Sequence, residues 1–300
     1  MVKRFLSYVE IKTKITSTFA FLLTIAFILY KDQSIDWLRT LVFFGSMFVF
    51  DLTTTAINNY IDTKTNDQQL QFNRRTALRI IYVLFAISAF LGIYLALITD
   101  IVVFLAGGVC FLAGVLYTYG PVPISRQPLG EVMSGVFYGL FIPFLLLYIN
   151  MPAGTFLTLG LGWDKIGLEL MVWPLVSLLL LSVPPVCTTA NIMLANNICD
   201  IEKDIKVKRY TLPYYLGRKA LYVFASIYFL AYISIIVMAV TGILSPLCLV
   251  SLLTLIPVQR NIRVFLKHQD KAVTFITAIK NYVLIMGSLT AMVFISAIFS

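Results

Sequence analysis

Charged residues are scarce in this sequence: they make up 12% of 300 residues, whereas 60% are hydrophobic. So small a charged fraction excludes a water-soluble globule of ordinary surface polarity. Histidine and cysteine are also rare, with one and four residues. The cysteines have no paired spacing, so we expect neither a disulfide framework nor a zinc site. A membrane is the solvent that this composition fits.

Apolar runs long enough to cross a hydrocarbon core of about 30 Å recur along the whole chain. They predict an all-α polytopic membrane protein with nine transmembrane helices in a single domain, residues 1–300. The first and eighth runs are short for a span, which leaves eight helices as an alternative. The predicted spans are 15–30, 37–57, 80–98, 101–119, 132–149, 170–194, 221–240, 243–258 and 273–299.

The basic residues provide an independent test of these spans. All but three of the 23 Lys and Arg residues fall on one side of the predicted membrane, the exceptions being Lys31, Arg39 and Lys165. The positive-inside rule then predicts a multi-pass protein of the cell membrane whose N-terminus and polar loops are cytoplasmic. The formal charge of +9 describes that membrane face and requires no nucleic-acid partner.

Two polar motifs of the same form lie at cytoplasmic ends of spans. Steps of four residues return to one face of a helix, so each motif forms a stripe of carboxylate and amide oxygens. The repeat suggests two related helical halves around a central cavity that opens to the cytoplasmic face and the bilayer. Oxygen donors of this kind suit Mg²⁺. The stripes are Asn58, Asp62 and Asn66, and Asn196, Asp200 and Asp204.

Lysine and arginine accompany both stripes. An allylic diphosphate releases several negative charges when its carbon–oxygen bond breaks, and metal ions with Lys or Arg must neutralise them. Each stripe alone is also typical of a solvated helix end. Two copies in one frame, on the side of the bases, favour a binding site over that alternative.

The segment 196–212, NNICDIEKDIKVKRYTL, resembles the second signature of the UbiA-type intramembrane prenyltransferases. Within them it is most similar to the 1,4-dihydroxy-2-naphthoate branch of menaquinone synthesis. NNYIDTKTND at 58–67 agrees with the first signature, and EIKTK at 10–14, YTYGPVPI at 117–124 and the Gly130-Glu131 pair also agree. The resemblance covers nearly the whole chain and implies a Mg²⁺-dependent enzyme with nine spans.

Three positions depart from the family pattern. Asn59 stands where Asp is common, Asn66 occupies the third acidic position with Asp67 displaced by one, and Val207 stands where glycine is frequent. Fewer carboxylates on the first stripe could weaken one metal site, or Asp67 could replace the missing ligand. Val207 could stiffen the loop before the Lys-Arg pair.

The resemblance implies a role for each matching residue. One Mg²⁺ would be held by Asn58, Asp62, Asn66 and Asp67, and another by Asn196, Asp200 and Asp204. Asp62 and Asp200 would be essential for catalysis, with Tyr117 or Tyr119 facing the allylic cation unless they are interfacial aromatics. The candidates for substrate binding are Lys64, Arg126, Lys208 and Arg209 for the diphosphate, together with Lys14, Asn59 and Asn197.

Some residues near the motifs have alternative interpretations. Lys12, Lys14 or Arg126 could orient the carboxylate of an aromatic acid, although lysines beside a first span are also topology signals. Glu10 and Glu131 are candidate proton acceptors or anchors for the acceptor. Asp51 lies within a span, and we expect it to form hydrogen bonds in the cavity wall rather than to bind metal.

The predicted reaction is transfer of a polyprenyl chain from polyprenyl diphosphate to an aromatic acid acceptor by a protein embedded in membrane lipid. For 1,4-dihydroxy-2-naphthoate, carbon dioxide would leave and a demethylmenaquinone-type lipid would form. The alternatives within the superfamily are prenylation of 4-hydroxybenzoate and farnesylation of haem. A cation-coupled transporter is a further alternative, but its acids should lie near the bilayer midplane.

Overall fold

The computed structural model describes residues 1–64, 69–121 and 123–299. Within these ranges the chain is helical apart from its connections and one two-stranded sheet. Helices of 3-10 type cover Ile11–Lys14, Ile124–Arg126 and Pro246–Thr254, and a π-helix covers Phe137–Phe141. The other elements are α1 (Val2–Tyr8), α2 (Ile15–Tyr30), α3 (Trp37–Asp62), α4 (Arg74–Leu97), α5 (Ile101–Thr118), α6 (Gly130–Val136), α7 (Ile142–Asn150), β1 (Leu157–Leu161), β2 (Ile166–Leu170), α8 (Val172–Lys206), α9 (Leu212–Leu216), α10 (Lys219–Val240), α11 (Leu255–Lys267) and α12 (Ile276–Ile298).

Nine helical segments of the described chain are long and apolar enough to cross a membrane, which confirms the predicted number. The first and eighth of them, Ile11–Tyr30 and Pro246–Lys267, join a 3-10 turn to an α-helix. The 3-10 turn lengthens the first segment beyond its apolar run, whereas the end of α11 lengthens the eighth. The protein is therefore an all-α, multi-pass membrane protein, and the eight-helix alternative is wrong.

Helices α3 and α8 continue beyond their apolar runs and include the polar motifs. α3 ends at Asp62 and α8 at Lys206, rather than at residues 57 and 194. At the end of α3, Arg74 donates hydrogen bonds to the carbonyls of Tyr60 and Thr63, at a helix end where carbonyls have no intrahelical donors. Lysines in the last turn of α8 interact favourably with its dipole. The motif acids thus stand on helices rather than on loops.

Helix α8 is central to one group of packed helices and α3 to another. α8 packs along α10 and α12, and α12 packs against α2. α3 pairs closely with α4, and α5 lies beside both. The two polar stripes are consequently carried by separate packing groups.

The outer surfaces of α4 and α5 are apolar. Phe90, Leu97, Phe104 and Leu112 are all exposed. An apolar surface of this extent would promote aggregation in water, whereas contact with lipid chains keeps it away from water. These two helices therefore face membrane lipid.

A proline within α8 frees one backbone carbonyl for a contact with α10. Pro184 lacks an N–H group, so the carbonyl of Leu180 loses its helical partner and instead accepts a hydrogen bond from Ser234 Oγ at 2.6 Å. The π-helix crosses α8 at Gly139, where a Cβ atom would overlap the backbone of Val186. Glycine is required because the two backbones touch.

Residues 152–169, predicted only as a long outer linker, contain most of a β-hairpin. β1 and β2 pair antiparallel from Leu157 with Leu170 to Leu161 with Ile166. Trp163 in the turn is fully exposed. The sequences LTLGL and IGLEL alternate apolar with small or polar residues, and this alternation is a signal from which the strands could have been predicted.

Replacing Gly139 by alanine should destabilise the protein by about 1–3 kcal/mol, because the added methyl group must push the π-helix away from α8. Gly107 of α5 is the matched control, since a Cβ there would meet nothing within 4 Å. Its replacement by alanine should be neutral or slightly stabilising, because alanine is the better helix former. Thermal unfolding in detergent measures both. Equal unfolding temperatures for the two variants would contradict the close crossing.

Candidate active site

The first stripe lies at the end of α3. Asn58 and Asp62 are one turn apart and both are partly buried. The hydroxyl of Thr118, at the end of α5, donates a hydrogen bond to Asn58 Oδ1. This contact fixes the direction of the Asn58 side chain. The remaining members, Asn66 and Asp67, lie outside the described residues.

The second stripe occupies the last turns of α8. Asn196, Asp200 and Asp204 follow at steps of four within one continuous helix, as predicted. Asp204 is 7% exposed, and its Oδ2 atom is buried without a hydrogen-bond partner among the described residues. A buried carboxylate oxygen without a donor is costly and marks a position where a cationic ligand would be stabilising.

Electrostatic interactions link the two stripes. The positive charges of Arg209 and Arg126 act on the Asp62 carboxylate. The Asp204 carboxylate in turn interacts with Asp62, Asp200 and Arg209. The ends of α3 and α8 therefore share one electrostatic environment, as the repeat of the motif predicts.

The loop after α8 docks onto the turn after α5 and brings two arginines together. Arg209 Nε donates to the carbonyl of Ser125 at 2.9 Å, and the backbone N–H of Tyr210 donates to the carbonyl of Arg126 at 3.0 Å. The Arg209 guanidinium also lies 3.8 Å from Asp204. Arg209 thus lies beside an acid of the second stripe, and Arg126 lies on the segment to which this loop is bonded.

The two lysines predicted to bind the diphosphate are more exposed than the two arginines. Lys64 follows α3 and its ammonium lies 5.0 Å from the centre of the Tyr60 ring. Lys208 has a left-handed backbone, with φ of 56°, in the loop between α8 and α9. Both lie near the stripes in sequence and have their side chains in solvent.

Lys271 is a site residue that the sequence analysis missed. It lies on the loop between α11 and α12, and its ammonium is 2.5 Å from Asp200 Oδ2 while also donating to Asn196 Oδ1. The predicted topology placed Lys271 on the side of the motifs. No spacing related it to them, because the contact depends on how α12 packs.

The two candidate tyrosines have different surroundings. Tyr117 is partly buried, with its hydroxyl 3.3 Å from Ser134 Oγ and 3.5 Å from the carbonyl of Gly130. The charges of Arg209 and Asp62 act on it. Tyr119 is 64% exposed. Only Tyr117 is therefore placed among the charged groups of the site.

Lys14, predicted to bind substrate, forms a buried ion pair instead. Its ammonium lies 2.7 Å from Asp51 Oδ1 and donates to Thr55 Oγ1 at 2.5 Å. Ser17 and Tyr138 donate to the same carboxylate, each at 2.7 Å. Asp51 thus forms hydrogen bonds inside the protein, as predicted, whereas the donors of Lys14 are engaged by Asp51 and Thr55.

The two asparagines predicted to bind substrate also have structural partners. Asn197 Nδ2 donates to Glu131 Oε1 at 2.8 Å, and both side chains are buried. Asn59 Nδ2 donates to the carbonyl of Tyr8 at 2.9 Å and to Glu10 Oε1 at 3.2 Å. Asn197 therefore ties α8 to α6, and Asn59 ties α3 to the N-terminal segment.

Tyr8 completes this attachment of α1 to α3. Its hydroxyl donates to the carbonyl of Ala56 at 3.0 Å. Burial raises the pKa of Tyr8 far above its ordinary value, so the hydroxyl remains a neutral donor. The first turn of the chain is thereby fixed close to the first stripe.

The oxygen donors of the two stripes fit a magnesium ion whose other ligands come from water and a bound phosphate. Among the described residues, no three His, Cys, Asp or Glu side chains are close enough to hold a metal by themselves. Mg²⁺ in proteins typically takes one or two carboxylates and completes its octahedron with water and phosphate oxygens. Asp62, Asp200 and Asp204, with the amide oxygens of Asn58 and Asn196, supply ligands of that kind on two sides.

Comparison with known sequences identifies one family. The UbiA prenyltransferase family matches residues 19–293. A 1,4-dihydroxy-2-naphthoate octaprenyltransferase of Bacillus subtilis (strain 168) is 28% identical over 225 residues, which cover 71% of this chain. The match covers 66% of that relative, so the chain spans just under two thirds of its length.

Solved structures share the fold across the whole chain. The structure of a digeranylgeranylglyceryl phosphate synthase in membranes superposes with a TM-score of 0.69 at 19% identity, covering 100% of this chain and 99% of that one. A UbiA homologue from Archaeoglobus fulgidus bound to DMAPP and Mg²⁺ gives 0.58 at 13% identity, covering 97% and 99%.

Replacing Asp51 by alanine should destabilise the protein by about 3–5 kcal/mol, because the Lys14 ammonium would remain buried without a counter-charge. The double variant Lys14→Met/Asp51→Leu should recover most of this loss, since it removes both charges together. Thermal unfolding in detergent reports the difference. A double variant as unstable as Asp51→Ala would contradict the ion-pair explanation.

Proposed function

The chain belongs to the UbiA prenyltransferase family, and from that premise we propose that it transfers a polyprenyl chain from polyprenyl diphosphate to 1,4-dihydroxy-2-naphthoate with loss of carbon dioxide. The acceptor is proposed from the name of the Bacillus relative. The product would be a demethylmenaquinone-type lipid, which places the protein in menaquinone biosynthesis.

The observation that carries this proposal is the meeting of two acidic stripes with a group of cations. The stripes end α3 and α8, and Arg209 interacts with acids of both. A diphosphate bound between them would contact carboxylate-held metal on two sides and guanidinium groups on a third. Arg126, Arg209, Lys208 and Lys64 are the proposed ligands of its oxygens.

Magnesium held by Asn58, Asp62, Asn196, Asp200 and Asp204, with Asn66 or Asp67 as a further ligand, would offset the charge of the departing diphosphate. The allylic carbon–oxygen bond breaks, and its electron pair leaves with the diphosphate. Tyr117 is the aromatic residue proposed to face the resulting cation. The ring carbon that carries the carboxylate would then form the new carbon–carbon bond, and the carboxylate would leave that carbon as carbon dioxide, so that the electron pair of the broken bond restores the aromatic ring.

The Archaeoglobus homologue supports both proposed ligands by analogy. It was solved with DMAPP, a short allylic diphosphate, and with Mg²⁺. At 13% identity the likeness shows a shared fold, and we propose the same two kinds of ligand for this chain by analogy. Membrane lipid is the third partner, because the diphosphate carries a chain that belongs in the bilayer.

The acceptor is the least constrained element of the proposal. No described side chain by itself distinguishes 1,4-dihydroxy-2-naphthoate from 4-hydroxybenzoate or from haem. A transporter gains no support, because Asp62, Asp200 and Asp204 lie at helix ends rather than near the bilayer midplane. We therefore retain the aromatic alternatives as outcomes of the activity assay.

The activity assay uses purified protein in liposomes with Mg²⁺, a polyprenyl diphosphate and either 1,4-dihydroxy-2-naphthoate or 4-hydroxybenzoate. Asp62→Ala and Asp200→Ala should each reduce the rate by at least about a hundredfold, because each removes a ligand of the charge-neutralising metal. Glu202→Ala is the matched control, since Glu202 is exposed and lies two residues from Asp200 off the stripe. It should retain its rate within about twofold.

The outcomes of this assay separate the parts of the proposal. Naphthoate prenylation that requires Mg²⁺ and both aspartates supports the whole proposal. Prenylation of hydroxybenzoate alone would overturn the acceptor and keep the mechanism. Equal losses in Glu202→Ala and Asp200→Ala would contradict the assignment of the second stripe.

We also propose that the motif ends of α3 and α8 face the cytoplasm, with the hairpin outside. Single cysteines in a cysteine-free background test this at Trp163, which is fully exposed, and at His268, which is exposed in the loop before α12. An impermeant maleimide should label Trp163→Cys in intact cells and His268→Cys only in inverted vesicles. The reverse pattern would show the opposite orientation.

A further inference from the structure

The ammonium of Lys271 lies where a metal ion would be expected. It contacts Asp200 Oδ2 at 2.5 Å and also Asn196 Oδ1, so it reaches two of the three residues of the second stripe. The other lysine near Asp200 is Lys203, whose ammonium is 3.8 Å away and mostly exposed. Among the described residues, Lys271 is thus the cation that lies closest to Asp200.

The loop that carries Lys271 is held in a fixed conformation. Asp270 Oδ1 accepts hydrogen bonds from the backbone of Ala272 and Val273, at 2.8 and 2.7 Å. Thr274 Oγ1 accepts a further bond from the N–H of Asp270 at 2.8 Å. The Lys271 ammonium also lies 5.1 Å from the centre of the Phe275 ring. These contacts present Lys271 to α8 on a short, structured turn.

A metal ion and this ammonium cannot both occupy the same oxygens. Two cations at contact distance repel each other, and an oxygen that donates its lone pairs to Mg²⁺ is a poor acceptor for a lysine. Before metal binds, the lysine offsets the charge of Asp200, which is only 20% exposed. Metal that binds Asn196 Oδ1 and Asp200 Oδ2 must therefore displace Lys271.

We infer that Lys271 is a built-in cation that competes with the metal for Asn196 and Asp200. The inference rests on the proposed metal role of the second stripe and adds a residue that sets the affinity of that stripe. Lys271 acts through the occupancy of Asp200 and Asn196 and is accordingly a positioning residue, not a catalytic one.

Metal binding in the presence of inorganic diphosphate, which supplies phosphate oxygens without any prenyl chain, tests this inference. Mn²⁺ binding to protein in detergent, followed by electron paramagnetic resonance, should be about three- to tenfold tighter in Lys271→Gln than in the unaltered protein. The expected size is that of one partly exposed charged hydrogen bond. Lys267→Gln is the matched control, because it removes an equal charge from the preceding helix. Its effect should stay below about twofold, since salt screens distant surface charges.

A second variant tests whether the tighter Mn²⁺ binding depends on Asp200 and not on a folding defect. In Lys271→Gln/Asp200→Ala the tighter binding should disappear, because the released oxygen is missing. An unchanged or weaker Mn²⁺ affinity in Lys271→Gln would overturn the inference, and so would absence of Mn²⁺ binding to both the variant and the unaltered protein. Prenyl transfer plays no part in the assay, so a wrong acceptor or a failed transferase proposal gives a different pattern of results.

Discussion

Carboxylates are costly inside a hydrocarbon core, and this cost determines where the acids of the chain lie. The acid within a span, Asp51, is surrounded by an ammonium and two hydroxyl donors. The acids of the two stripes lie at helix ends, beyond the apolar runs. A helix that carries a stripe must extend beyond the apolar run, as both α3 and α8 do. The length of these two helices is thus the basis of the site.

The same cost explains why cations accompany these acids before any ligand arrives. Arg209 lies beside Asp204, and Lys271 lies on Asp200. Each pair keeps a partly buried carboxylate from being left without a partner. A bound diphosphate with its metal would replace these ion pairs by others, in which a positive charge again faces a negative one. The site is therefore prepared for a polyanion by charges that already stabilise the helix ends.

Much of this arrangement could be predicted from the sequence, because it depends on local periodicity. The nine spans follow from long apolar runs, and the second stripe follows from steps of four at Asn196, Asp200 and Asp204. The reaction, prenyl transfer, was inferred from the resemblance of the motifs to those of the family. All three inferences need only residues that are close in sequence.

The contacts that the sequence did not reveal have a common physical cause, because they join distant segments. Lys14 was predicted to bind substrate, yet its partner Asp51 is 37 residues away and one helix across. Lys271 was missed because it is 71 residues from Asp200. The crossing at Gly139 likewise depends on how α8 passes the π-helix. Packing between helices decides such contacts, and no local pattern records it.

The central claim is that α3 and α8 hold one metal–diphosphate group between them. The most direct measurement is an experimental structure with Mn²⁺ and a non-hydrolysable prenyl thiodiphosphate, in which anomalous scattering locates the metal. We predict metal density about 2.0–2.3 Å from oxygens of Asp62 and of Asp200, with the diphosphate between the two helices. Metal bound at only one of these helices, or a diphosphate outside the space between them, would contradict the account.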